Sequence, residues 1–221
     1  MTVAAGGTAT LLTSWAMGKL MQRDAVVRPS RRVYDYCHEH RSAAIARRLD
    51  PVTTIGGYSV IGSFSVLVGA IVAYERRSWR PVPLLLAGAL SEVYLQKAIK
   101  RLVKGTKPPR ESSLGPPGDF PSGGAARTII TFGLLAHLLT QRWDSPAERL
   151  VIWSAVAGLV LAQGGSRLYL GRHWPEDVIG GWLFGLMILR TLIRVDDVLA
   201  IEAGTDRLAR PDRRVHRLGI T

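Results

Sequence analysis

Apolar residues fall into long blocks. Residues 52–74, 82–103, 122–139, 148–168 and 177–193 each meet or approach the roughly 20 apolar residues that a helix needs to cross a bilayer core. A weaker block, 1–21, precedes them. It has no positively charged stretch before its apolar run and no small-residue cleavage site, so it reads as a first span and not as a signal peptide. A helix of a water-soluble bundle keeps a polar face, whereas Leu134, Leu135 and Ala136, or residues 156–161, leave none. The pattern predicts an all-α, polytopic membrane protein of about six transmembrane helices, bundled in one domain over 1–221.

Between the first and second blocks, residues 22–50 carry seven Arg and two His among apolar residues such as Val33, Tyr34, Tyr36 and Ile45. This predicts a basic, amphipathic segment resting at the membrane surface, with its Arg side chains on lipid phosphates. Cys37, His38 and His40 lie within it, but no fourth ligand is in view and no metal site is assigned.

Composition sharpens this picture. The chain is 47% hydrophobic, yet 29 Lys and Arg face 17 Asp and Glu, a formal net charge of +12. The two are reconciled when apolar residues form spans and basic residues fill the loops between them. Nucleic acid is not the expected partner, because aromatic residues make up only 7% and the arginines flank apolar runs instead of forming a stripe. Basic residues stand on both sides of the predicted spans, so the positive-inside bias is weak. The basic tail, 196–221, favours a cytoplasmic C-terminus in a multi-pass plasma-membrane protein. With Cys37 the only cysteine, no intrachain disulfide can form.

Three polar clusters interrupt the apolar blocks. Lys97, Lys100, Lys104 and Lys107-Pro108 end the third predicted span, Phe120-Pro121-Ser122-Gly123-Gly124 opens the fourth, and Ser166-Arg167 ends the fifth, with His173 and Asp177 opening the sixth. An out-and-back hairpin of the fourth and fifth spans carries all three to one membrane face. Taken singly, each has a plain structural explanation as an anchor, a helix start or a capped interfacial His.

Their spacing resembles the phosphatidic-acid-phosphatase type 2 superfamily of membrane lipid phosphatases, which is related to the vanadium haloperoxidases. That signature runs Lys, six residues, Arg-Pro; then Pro-Ser-Gly-His; then Ser-Arg, five residues, His, three residues, Asp. Lys100 is followed by Lys107-Pro108, with Lys in place of Arg; Pro121-Ser122-Gly123 matches, with Gly124 in place of His; and Ser166-Arg167, His173 and Asp177 match in full. The motifs and span order cover residues 92–186.

The resemblance implies that His173 is the nucleophile, forming a phosphohistidine that water hydrolyses. Asp177, four residues on, is placed to accept from one imidazole nitrogen and leave the other free. Lys100, Lys107 and Arg167 would neutralise phosphoryl oxygens, with Ser122, Gly123, Gly124 and Ser166 completing the phosphate site at a helix start. No cofactor is implied. The absent histidine is the family's expected proton donor to the leaving oxygen, help typically worth about 10²–10⁴-fold. The expected function is therefore hydrolysis of a phosphorylated membrane lipid whose leaving group needs little protonation, an isoprenyl diphosphate. The alternatives are ionisation of an allylic diphosphate at carbon, as in a membrane terpene synthase, and a catalytically silent lipid-phosphate binder.

Overall fold

Proline and serine set where the helices begin. Pro81, Pro146 and Pro175 each stand at a helix start, where the missing N–H costs nothing. Ser145 accepts from the Glu148 backbone amide at 3.3 Å, a cap of the Ser-x-x-Glu kind. The computed structural model describes residues 12–13, 15–21, 23–103, 119–141 and 143–209, the side chains of residue 76 and of 201–209 excepted. Among these, every regular element is helical. After a helical stretch at 15–21 come α1 (Asp24–Glu39), α2 (Ala43–Thr54), α3 (Tyr58–Arg76), α4 (Pro81–Leu102), α5 (Gly123–Thr140), α6 (Pro146–Tyr169) and α7 (Pro175–Ala209).

Four of these are long and apolar enough to cross a membrane: Tyr58–Glu75 of α3, Pro81–Leu102 of α4, Pro146–Tyr169 of α6 and Pro175–Ala200 of α7. They turn Val66, Leu67, Leu86, Leu90, Leu161 and Leu186 outward, as lipid-facing helices do. The fourth predicted span, α5, carries Arg127 and His137 and falls outside that set. Its position explains the difference. It packs against α3, α4, α6 and α7 and is mostly buried, so it meets protein where the others meet lipid, and its polar residues find partners there. Most of the weak first block, 1–21, lies outside the described residues.

The predicted span at 52–74 is broken. α2 ends at Thr54, a turn follows at Ile55–Gly57, and α3 starts at Tyr58. Gly56 makes this turn possible: a Cβ there would come within 2.6 Å of the Gly124 carbonyl, so only glycine lets the turn press against the start of α5.

The basic segment is likewise two helices, parted at His40–Ser42, and its arginines do not all face outward. Arg28, Arg32, Arg47 and Arg48 are exposed, but Arg31 lies 3.1 Å over the Trp174 ring and pairs with Glu176 at 3.8 Å. Arg41 donates to the Tyr169 carbonyl at 2.9 Å. The segment therefore caps one end of the bundle as well as presenting charge outward. It does not gather Cys37, His38 and His40, since His40 stacks on Tyr36 instead.

Glycines set the register of the central pair. A Cβ at Gly181 of α7 would strike the Ser122 carbonyl, and one at Gly185 would lie 2.9 Å from the Ala126 carbonyl. Small residues four apart let the two backbones approach closely, as they do in membrane helix pairs. The Ser122 amide then donates to the Asp177 carbonyl at 2.8 Å, locking the start of α5 to the start of α7.

Candidate active site

At the end of the bundle beneath α2, the loop from Leu170 to Trp174 turns the chain from α6 into α7 and buries His173. Its Nδ1 lies 3.3 Å from Asp177 Oδ2, which also accepts from the Trp174 amide at 3.1 Å. A carboxylate held in this way favours the tautomer with the proton on Nδ1 and leaves the lone pair on Nε2. Burial, together with the nearby Arg167 guanidinium and Lys100 ammonium, holds the His173 imidazole well below its ordinary pKa. The ring is therefore neutral, the state a nucleophile needs.

Around it stand the other residues singled out from the sequence. Ser122 occupies the N-cap of α5 but makes no capping bond, and its hydroxyl is buried without a partner. Gly123 and Gly124 open the same helix, whose first amides have no intrahelical acceptor. Lys100 donates to Asp119 at 2.6 Å. Among the described residues Arg167 donates to the Thr53 carbonyl, at 3.5 Å, and its Nε is buried without an acceptor. Ser166 is buried too, but its hydroxyl donates to the Gln163 carbonyl at 2.6 Å, so its proton is engaged within α6. Lys104 and Lys107-Pro108 lie outside the described residues.

The space left by the missing imidazole is filled. A Cβ built on Gly124 would fall onto the Arg167 guanidinium. Arg167 thus sits where a side chain at position 124 would begin.

Several neighbours belong to no motif. Asp119 holds Lys100, and the Gln96 carboxamide packs on Gly123 and donates to the Pro121 carbonyl at 3.2 Å. Glu92 pairs with Arg127 at 2.9 Å, Arg127 Nε donates to the Gly56 carbonyl at 2.9 Å, and the Arg127 guanidinium lies 3.7 Å over the Tyr58 ring. The readable signal for two of them is spacing: Glu92, Gln96 and Lys100 recur every four residues on an otherwise apolar helix, hence on one face. Asp119 and the Thr53 carbonyl leave no such trace.

Asp196 and Asp197, the only adjacent Asp pair, lie elsewhere. Together with His137 they form the one His/Asp group close enough to share a metal ion among the described residues, with His137 Nε2 3.1 Å from Asp196 Oδ2. His137 is 14 residues along α5 from Gly123, about 21 Å at 1.5 Å per residue. It cannot reach the phosphate site as a proton donor.

Residues 80–199, more than half of the chain, match the PAP2 superfamily. The chain belongs to that family. The match takes in α4, α5, α6 and α7 as far as residue 199, and with them all three motifs, but not Thr53, Gly56 or Tyr58. Phosphatidylglycerophosphatase B of Bacillus subtilis is 27% identical over 143 residues, covering 62% of this chain and 68% of its own. Undecaprenyl-diphosphatase of Sulfolobus acidocaldarius is 37% identical over 79 residues, 35% of this chain and 33% of its own length. Among solved structures, the transmembrane PAP2-type phosphatidylglycerolphosphate phosphatase of Bacillus subtilis superposes with a TM-score of 0.71 at 20% identity, over 94% of this chain and 98% of that one. Aquifex aeolicus LpxE gives 0.54 at 19% identity, over 74% and 93%. This PAP2 protein is accordingly an integral, multi-pass membrane protein of the lipid-phosphatase class, a phosphoric-ester hydrolase.

Proposed function

We propose that the protein hydrolyses an isoprenyl diphosphate in the plasma membrane through a phosphohistidine on His173. The observation that carries this reading is the pairing of a buried, neutral His173 with a leaving-group side that offers no histidine. His173 Nε2 attacks the terminal phosphorus, and the bond to the bridging oxygen breaks with its electron pair going to the lipid monophosphate. Asp177 steadies the imidazolium-like ring as charge develops. Lys100, Ser122 and the amides of Gly123 and Gly124 hold the transferring phosphoryl oxygens, and Lys107 adds charge without the bidentate fork of arginine. Water then cleaves the P–N bond, releasing inorganic phosphate.

A lipid alkoxide is a basic leaving group that needs a proton, whereas a lipid monophosphate leaves without one. The named relatives include an undecaprenyl-diphosphatase and a phosphatidylglycerophosphatase, so the chemistry at position 124 bears the choice. The test is purified protein against matched isoprenyl and glycerolipid mono- and diphosphates, with both products identified by mass. Faster release from diphosphates, yielding lipid monophosphate and inorganic phosphate, is expected. Faster monophosphate hydrolysis would overturn the substrate assignment. A hydrocarbon or terpene alcohol with inorganic diphosphate would place the break at carbon. Binding without turnover, unaffected by His173→Ala, would make the chain a silent binder.

A further inference from the structure

Half of the proposed reaction still lacks a proton acceptor. A lipid monophosphate departs from phosphorus unaided, but the water that then cleaves the P–N bond must lose a proton as its oxygen bonds to phosphorus. Gly124 supplies no side chain for that task. Three carboxylates near the site are committed elsewhere: Asp177 lies on the Nδ1 side of the His173 ring, Glu92 pairs with Arg127 at 2.9 Å and Glu176 with Arg31 at 3.8 Å. Asp119 differs. Its partner at 2.6 Å is Lys100, one of the phosphate-site cations, and its charge bears on the His173 ring, opposing the lowering of its pKa by Arg167 and Lys100. A carboxylate beside an anion site weakens binding through like-charge repulsion, so its presence there calls for a role. The next three residues pin it in place. The Phe120 ring is buried against Gly180 of α7, the Pro121 carbonyl accepts from Gln96 of α4, and the Ser122 amide donates to the Asp177 carbonyl.

We propose that Asp119 is the general base of the second half-reaction, taking the proton of the water that hydrolyses the phosphohistidine on His173. This rests on the phosphohistidine reading above and assigns the residue that completes its cycle. Lys100 supplies the geometry. An ammonium has three donors, so one can stay on Asp119 while another meets a phosphoryl oxygen. Two acceptors sharing one ammonium stand about 4–5 Å apart, a gap that a single bridging water fits. That water is held by the Asp119 carboxylate within reach of phosphorus. As its oxygen bonds to phosphorus, the P–N bond breaks, the electron pair returns to Nε2 of His173, and the water's proton passes to Asp119. Inorganic phosphate leaves, and the ring is neutral again for the next substrate. The Asp119 side chain is 34% exposed, so the proton it has taken can pass on to solvent, which the buried Asp177 could not arrange.

The alternative role for Asp119 is to position Lys100, and the two roles affect different steps. Full-length wild type, Asp119→Asn and Asp119→Ala are mixed with an isoprenyl diphosphate labelled on its terminal phosphate, quenched without acid, and followed for label on His173, with thermal unfolding measured in parallel. Formation of the labelled protein and its decay after a chase with unlabelled substrate are timed separately. Asparagine still accepts from Lys100 but is no base, so Asp119→Asn should form the intermediate within about tenfold of the wild-type rate. Its decay should slow by about 10²–10⁴-fold, so that label accumulates and a burst of lipid monophosphate precedes a slow steady state. Asp119→Ala should decay slowly too, and should speed up when formate is added to take the vacated place. Formation impaired as much as decay, or decay in Asp119→Ala that ignores formate, would overturn the inference and leave Asp119 as a positioning residue for Lys100. Absence of label on His173 in the wild-type protein would instead overturn the phosphohistidine reading itself.

Discussion

On the proposed mechanism His173 attacks phosphorus only while its ring is neutral, and its surroundings favour that state. Burial and the cations around it lower its pKa from 6.5, so the neutral form persists into more acidic solution than for an ordinary histidine. The sign is definite: protonation switches the nucleophile off, and a lower pKa moves the acid limb of kcat/KM below 6.5. A pH–rate profile, corrected for the substrate's own ionisation near about pH 6, should show activity holding through that range. An acid limb at or above the ordinary value would contradict the geometry. Asp177→Asn keeps the shape but withdraws the charge and the acceptor that fixes the tautomer, and should cost roughly 10²–10⁴-fold in kcat. At this scale the sequence was informative about identity and silent about placement. The Ser166-Arg167, His173 and Asp177 spacing named the residues, and the glycine at 124 announced a departure. That Arg167 would occupy the space so vacated depends on a turn at Gly56 and a carbonyl at Thr53, some 110 residues away in the chain, which no local pattern encodes.

Helices α4 to α7 hold these residues in register, and two contacts offer tests of it. Gly185→Leu would drive a side chain into the Ala126 backbone and should destabilise the protein by about 1–3 kcal/mol. It should also depress turnover on every substrate alike, because the Ser122–Asp177 bond shifts with it. Glu92→Ala removes the carboxylate from a buried pair and leaves the Arg127 charge uncompensated, a loss of about 3–5 kcal/mol. Replacing both Glu92 and Arg127 with leucine should recover much of it, and thermal unfolding in detergent distinguishes the cases. The apolar blocks forecast α4, α5, α6 and the start of α7 within a few residues, because span length is a strong constraint on a helix in lipid, but α7 runs on to Ala209, well past the end of its block. They missed the break at Ile55–Gly57, since the residues around it are apolar enough to continue a helix and the reason for stopping lies in α5. They also missed the split and inward turn of the basic segment. Amphipathicity identifies a face, but whether that face meets lipid or protein is decided by Trp174, Glu176 and Tyr169.

The whole molecule is polar at two ends and along one buried axis. The end capped by α1 and α2 contains the candidate phosphate site, the opposite end contains His137 with Asp196, and α5 runs between them, wrapped by four helices. This arrangement has a consequence for how the chain enters a membrane during synthesis. An arginine within a span opposes insertion of an isolated helix, by about 2.5–3.5 kcal/mol at the centre and less towards the ends; Arg127 lies in the first half of α5, which also carries His137. It follows α4 in the chain, so Glu92 is already in place when Arg127 emerges from the ribosome. The active-site helix is therefore expected to enter the bilayer as the second member of a pair, chaperoned by its predecessor. In a translocon assay with glycosylation tags flanking α5, integration should be efficient when α4 is intact and should fall when Glu92 is changed to Leu. Equal integration in both would show that α5 enters unaided. The ion pair that stabilises the finished enzyme would then also decide whether the nascent chain acquires its intended topology.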